Sequence, residues 1–131
     1  MIGPDAPFLA ERPLISIMLQ HRADLGLTPE QVTRLEGLRD SFAREAIRRD
    51  ADIRIAELDL GALLEQDPLD MTKVEAKVRE LAQLQTDLRV ARLRTIEQGK
   101  ALLTPEQKTR LQAVLGGGRP PRQSAGAGTR L

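Results

Sequence analysis

The sequence predicts an all-α protein whose centre is a long antiparallel hairpin of two helices, with one short helix before it and one after it. Three observations favour this fold class. Helix-forming residues such as Leu, Ala, Arg, Glu and Gln dominate a chain of 131 residues that is only 2% aromatic. Two long stretches place apolar residues at three- and four-residue steps. The phrase L-T-P-E-Q, which is built like a helix start, occurs twice.

The composition also narrows the classes of function. The net charge of +1 gives no large field to attract nucleic acid, and aromatic side chains for base stacking are nearly absent. The chain has no Cys, which excludes disulfides, thiol nucleophiles and thiolate metal sites. No apolar run approaches the ~20 residues that a membrane span needs. The sequence shows no nucleophile, base and orienting group at the spacing of a known catalytic motif, so we do not expect an enzyme. Because of the low net charge and the few aromatic residues, we do not expect a nucleic-acid partner either.

Residues 1–12 are expected to form a flexible N-terminal segment. Asp5, Glu11 and Arg12 interrupt its apolar residues, and it lacks the basic n-region of a signal peptide. We therefore do not expect it to be a signal peptide. A short helix is predicted from about Arg12 to Asp24, where Leu25 and Gly26 end it.

Each copy of the repeated phrase, Leu27–Gln31 and Leu103–Gln107, has the features of a helix N-terminus. Thr is the N-cap, Pro takes the first helical position, and Gln three residues after the cap closes a capping box. The motif residues are Leu27, Thr28, Gln31, Leu103, Thr104 and Gln107.

The first long helix is predicted from Thr28 to about Gln66, and a break at 67–70 separates it from the second. Thr72 and Glu75 offer the second helix a capping box. Because the break is short, the two helices should run antiparallel and bring both copies of the phrase to one end of the hairpin. A final helix is predicted over Pro105–Leu115, which makes four helices and a helical-hairpin domain over 13–115. The Gly-, Pro- and Arg-containing tail, 116–131, is expected to be disordered.

The long helices carry more apolar residues than a two-helix hairpin can hide. A second row on the first helix lies opposite the main stripe, and further apolar residues lie off the stripe of the second helix, with arginines between them. These residues are Ile47, Ala51, Ile55, Leu58 and Ala62, then Val90 and Leu93, with Arg48 and Arg89. Since each buried Ile or Leu contributes ~1.5–3 kcal/mol, we expect this surface to form a dimer interface or to bind apolar segments of other proteins.

His21 is the single histidine and the one candidate imidazole ligand. Met18 lies one turn before it, which would suit zinc, nickel or copper. The alternative is an ordinary surface or packing histidine, with no cofactor at all.

The doubled L-T-x-x-Q motif, framing a hairpin in an all-helical chain of this size, resembles the Spy/CpxP family of bacterial periplasmic stress proteins and its zinc-resistance and heavy-metal-sensor relatives. The residues around the two motifs have the family's spacing of apolar positions, as in LGLTPEQVTRLEGL and LLTPEQKTRLQAVL. The resemblance spans about Pro13 to Leu115. It implies a curved, four-helix antiparallel homodimer in the periplasm. It also implies a signal peptide or membrane anchor that is not included in the given sequence. The sensor relatives carry two histidines one turn apart where this chain offers Met18 and Arg22.

Three functions follow as hypotheses. The first is a periplasmic, ATP-independent chaperone or envelope-stress adaptor whose partners are unfolded proteins or a membrane sensor protein. The second is a periplasmic heavy-metal sensor or resistance protein that uses His21 and Met18. The third is a cytosolic coiled-coil module or nucleic-acid binder, which rests on three dispersed arginines of the tail and ranks last.

Overall fold

The structure is a computed structural model that describes residues 13–116 of the chain. These residues form five helices and no strand: α1 (Leu14–Gln20), α2 (Arg22–Leu25), α3 (Pro29–Leu64), α4 (Met71–Lys100) and α5 (Pro105–Leu115). The long helices α3 and α4 pack against each other, so the all-α hairpin predicted from the sequence is confirmed. None of the described helices is both long and apolar enough to cross a bilayer. The predicted segment 1–12 lies outside the described residues, as does the predicted tail 116–131 apart from its first residue.

Two local predictions were wrong. The first short helix is divided into α1 and α2 at His21, whose backbone (φ −107°, ψ 28°) leaves the helical region. The helix α4 is capped by Asp70 and not by Thr72, because the Asp70 carboxylate accepts from the Lys73 N–H at 3.3 Å and α4 already begins at Met71. Asp is as good an N-cap as Thr, so both Asp70 and Thr72 could cap α4. The chain turns into the helix at the earlier of the two.

The described chain divides into two compact units. The first, called the terminal unit here, comprises the described parts of 1–39 and 96–131. Its core is formed by apolar side chains of all five helices or their ends: Leu14, Ile15, Met18, Leu19, Leu25, Leu35, Ile96, Leu103 and Leu111. Gly26 ends α2 with a left-handed backbone (φ 71°), which a residue without Cβ adopts at no cost. The terminal unit thus buries a complete core of its own.

The second unit, Asp40–Thr95, is called the hairpin unit. Its core is thin: Ile53, Ala56 and Leu81 are buried, with Leu60, Leu84 and Leu88 packed against them. Lys77 of α4 adds an ion pair to Asp59 of α3 at 3.6 Å, and it also contacts Glu80 at 3.0 Å. The hydrogen bond to Glu80, with a smaller contribution from Asp59, raises the pKa of Lys77 above its ordinary value. Two helices bury one stripe each and leave the remaining faces to solvent.

Candidate functional site: the paired motifs and the exposed hairpin surface

The two copies of L-T-P-E-Q contact each other through their glutamines in the terminal unit. The Gln31 amide donates from Nε2 to Gln107 Oε1 at 2.8 Å, and the Gln107 amide donates back to Gln31 Oε1 at 3.1 Å. Each Nε2 also donates to a backbone carbonyl beside the other copy, Gln31 to Leu102 O at 2.8 Å and Gln107 to Gly26 O at 2.9 Å. We call this arrangement the glutamine pair.

The same glutamines also complete the two helix caps. Gln31 Oε1 accepts from the Thr28 N–H at 2.9 Å, while Thr28 Oγ1 accepts from the Gln31 N–H at 3.1 Å. Thr104 and Gln107 make the equivalent bonds at 2.9 and 3.2 Å. Each side-chain oxygen therefore accepts two hydrogen bonds and each Nε2 donates two. This uses the full hydrogen-bonding capacity of both amide groups.

The glutamine pair explains why the phrase occurs twice. Gly26 and Leu102 stand at the same position before their respective copies, so the bonding pattern has approximate two-fold symmetry. The sequence identified both caps but not the bonds between them, since those depend on how closely the ends of two helices approach. The one signal in the sequence was that each glutamine stands three residues after the Thr N-cap of its copy.

The hairpin unit carries the exposed apolar surface. Every large apolar side chain that is exposed in the described part of the chain lies between residues 47 and 93. On α3 the exposed fractions are 71% for Ile47, 56% for Ile55 and 75% for Leu58, and Ala51 and Ala62 are exposed beside them. On α4 they are 43% for Val90 and 39% for Leu93. Exposed apolar side chains of this size and number are the feature from which a binding surface is proposed below.

Arginines alternate with these apolar residues along the same two helices. Arg44, Arg48, Arg89 and Arg94 are exposed on the two helices of the hairpin unit. Others are held by carboxylates one turn away: Arg49 by Glu45 at 2.8 Å and Arg54 by Asp50 at 2.7 Å. The hydrogen bond that Arg54 donates to Asp50 raises the pKa of Arg54 above its ordinary value. The surface therefore combines apolar side chains with cationic ones, which suits apolar segments that also carry negative charge.

The two residues of the metal hypothesis lie in different environments. Met18 is fully buried in the core of the terminal unit, so its thioether packs against apolar side chains. His21 is partly exposed, and its Nδ1 lies 3.2 Å from Asp24 Oδ2. A carboxylate at Nδ1 is the usual orienting partner of a metal-binding imidazole. Among residues 13–116, however, no group of three or more His, Asp or Glu side chains is placed to hold an ion. One described chain does not supply a complete metal site.

Comparison with known proteins places the chain in a family. The family model described as heavy-metal resistance matches residues 3–110. This is the family of Spy/CpxP-like periplasmic proteins with L-T-x-x-Q motifs that the sequence resembles. No curated protein and no solved structure is significantly similar to the chain.

Proposed function

This chain belongs to the heavy-metal resistance family, and we propose that within it the protein is a periplasmic, ATP-independent chaperone or envelope-stress adaptor of the Spy/CpxP type. It binds unfolded proteins, or a membrane sensor protein, on the apolar and basic surface of the hairpin unit. It acts as a homodimer. Proteins of this family are generally periplasmic or extracellular, which supports the proposed location.

One observation carries the proposal: within residues 13–116, the large apolar side chains that are exposed all lie in the hairpin unit. The terminal unit encloses its apolar side chains in a core, whereas Ile47, Leu58 and Val90 remain exposed together with arginines. Since exposing large apolar side chains forgoes ~1.5–3 kcal/mol for each, a helix that merely had to fold would carry polar residues there. A weak and adaptable surface of this kind binds many sequences without nucleotide hydrolysis.

The direct test is suppression of aggregation. The protein, mixed at equal molar ratio with a chemically reduced, aggregation-prone test protein and no nucleotide, should lower the light scattering. Replacing Val90 and Leu93 by Asp should abolish most of this effect, because two charges would interrupt the apolar part of α4. The matched control replaces Gln85 and Thr86 by Asp, since this adds the same two charges at exposed polar positions of the same helix. No suppression by the wild-type protein would disprove the chaperone proposal.

A second candidate function is heavy-metal sensing or resistance. The His21–Asp24 contact supports it, because an imidazole held at Nδ1 presents Nε2 to an ion. A lasting site needs about four ligands in total, so His21 would have to be joined by ligands beyond one described chain. The chemistry of the imidazole suits zinc, nickel or copper.

Calorimetric titration with zinc, nickel and copper ions tests the second candidate. If His21 is a ligand, His21→Ala should reduce the affinity by at least about tenfold, whereas Asp24→Asn should reduce it less because it removes only the orienting partner. Unchanged binding in His21→Ala would remove the proposed ligand. Circular dichroism should show the same helicity in both variants, since the pair is at the surface.

A further inference from the structure

The turn between the two long helices carries exposed apolar side chains that lie outside the surface described above. Residues 64–71 join the end of α3 to the start of α4, and we call this segment the tip surface. Leu64, Leu69 and Met71 are large apolar residues, and all three are exposed. The residues between them are exposed as well. Three large apolar groups therefore face solvent around one short turn.

The tip surface is also acidic. Residues 55–72 contain no Lys or Arg and five carboxylates: Glu57, Asp59, Glu65, Asp67 and Asp70. Asp59 is paired with Lys77, and Asp70 acts as the N-cap of α4. Within residues 13–116, no side-chain hydrogen bond or ion pair holds the carboxylate of Glu65 or Asp67. Two exposed carboxylates thus stand among the exposed apolar groups without a cation from the described chain.

The end of α3 gives an independent indication of a missing cation. A helix C-terminus carries partial negative charge, which a Lys or Arg in the last turn normally balances. The helix α3 has no basic residue in its last turn, and Glu65 follows that turn directly. Glu65 therefore opposes the local field at a cost of about 0.3–1 kcal/mol. A residue that lowers the stability of the hairpin and has no partner in the described chain is typical of a functional surface.

We propose that the tip surface is a docking site for a cationic amphipathic helix of another protein. Lys or Arg residues on that helix pair with Glu65 and Asp67 and supply the charge that the end of α3 lacks. The apolar stripe of the same helix covers Leu64, Leu69 and Met71. A partner strand has no sheet edge to join, because residues 13–116 form helices and no strand.

The tip surface is opposite in charge to the apolar and basic surface of the proposed function. Exposed arginines such as Arg48 and Arg94 make that surface suitable for segments with negative charge. The carboxylates of the tip surface repel such segments and attract cationic ones, so the two surfaces select different partners. The tip site goes beyond the proposed function and does not depend on the chaperone activity.

Fluorescence anisotropy with a labelled amphipathic helix of Leu and Lys tests the site in the full chain. The wild-type protein should bind this probe, and added NaCl should weaken the binding because the charges are exposed. Glu65→Gln combined with Asp67→Asn should weaken it by at least about threefold, since two exposed ion pairs are lost. Leu69→Gln combined with Met71→Gln should weaken it by at least about tenfold through lost apolar burial.

Asp52→Asn combined with Glu97→Gln is the matched control, because it removes two carboxylates at exposed positions outside the tip surface. This variant should change the affinity by less than about twofold. A second probe, in which Glu replaces every Lys, should bind equally well to the wild-type protein and to the tip variants. The Leu and Lys helix fused to the end of a folded carrier protein should bind as tightly as the free probe. Circular dichroism should show unchanged helicity in all variants.

No binding of the cationic probe to the wild-type protein, full binding to either tip variant, or an equal loss in the control variant would each overturn the inference. Loss of binding on fusion to the carrier would overturn the assignment to a helix of another protein. The proposed function fails separately. Tip variants that no longer bind the probe should still suppress aggregation, and a loss of both properties together would refute a separate tip site.

Discussion

Gln107→Ala should lower the free energy of unfolding of this protein by about 3 kcal/mol, measured by urea denaturation. Gln107 is only 7% exposed, and its amide joins the cap of α5 to the other copy of the motif. The substitution removes the capping bond and leaves the Gly26 carbonyl and the Gln31 amide without their partner. Leaving buried polar groups unpaired costs about 1–3 kcal/mol.

The control for this prediction is Gln112→Ala, a change of the same kind at an exposed position of the same helix, which should alter stability by less than about 0.5 kcal/mol. Gln31→Ala, combined with Gln107→Ala, should cost less than the two single changes added together, because both remove the same mutual bonds. Additive losses would show that the two caps act independently and that the glutamine pair contributes little.

Gly99→Ala should destabilise the protein by about 1–3 kcal/mol, although Ala is the better helix former. Gly99 lies near the end of α4, where α1 packs closely against it. A Cβ at this position would lie 2.9 Å from Ile15 Cγ1 and 3.4 Å from Leu35 Cδ2, and Ile15 is itself buried in the core. The added methyl therefore forces the two helices apart or drives Ile15 from its rotamer.

A second glycine in the terminal unit provides the opposite expectation. Gly37 is exposed on α3, and nothing beyond the backbone of its own helix lies within 4 Å of an added Cβ. Gly37→Ala should therefore stabilise the protein by about 1 kcal/mol through helix propensity. Ile15→Val should relieve part of the loss in Gly99→Ala. If both glycine changes shifted the urea midpoint in the same direction, close packing of α1 on α4 would not be the cause.

Helix starts and ends were predictable where local chemistry decides them. Thr104 caps α5 by the bonds that the motif implies, and α5 covers Pro105–Leu115 as predicted. Gly26 ends α2 in the left-handed region because its missing Cβ allows it. The cap of α4 was not predictable in this way, since Asp70 and Thr72 are both good caps two residues apart. The break between α1 and α2 at His21 was not predictable either, because no Gly or Pro stands at that position.

The candidate sites show the same division. The sequence by itself determined that α3 carries two apolar rows, because helical periodicity places Ile53 and Ile55 on different faces. Only the tertiary structure decided that Ile53 is buried against α4 while Ile55 stays exposed, and that Met18 lies in a core and not beside His21 at the surface. The glutamine pair belongs to the tertiary structure as well. A helix cap is fixed by residues within one turn, whereas bonds between Gln31 and Gln107 require segments 76 residues apart to meet.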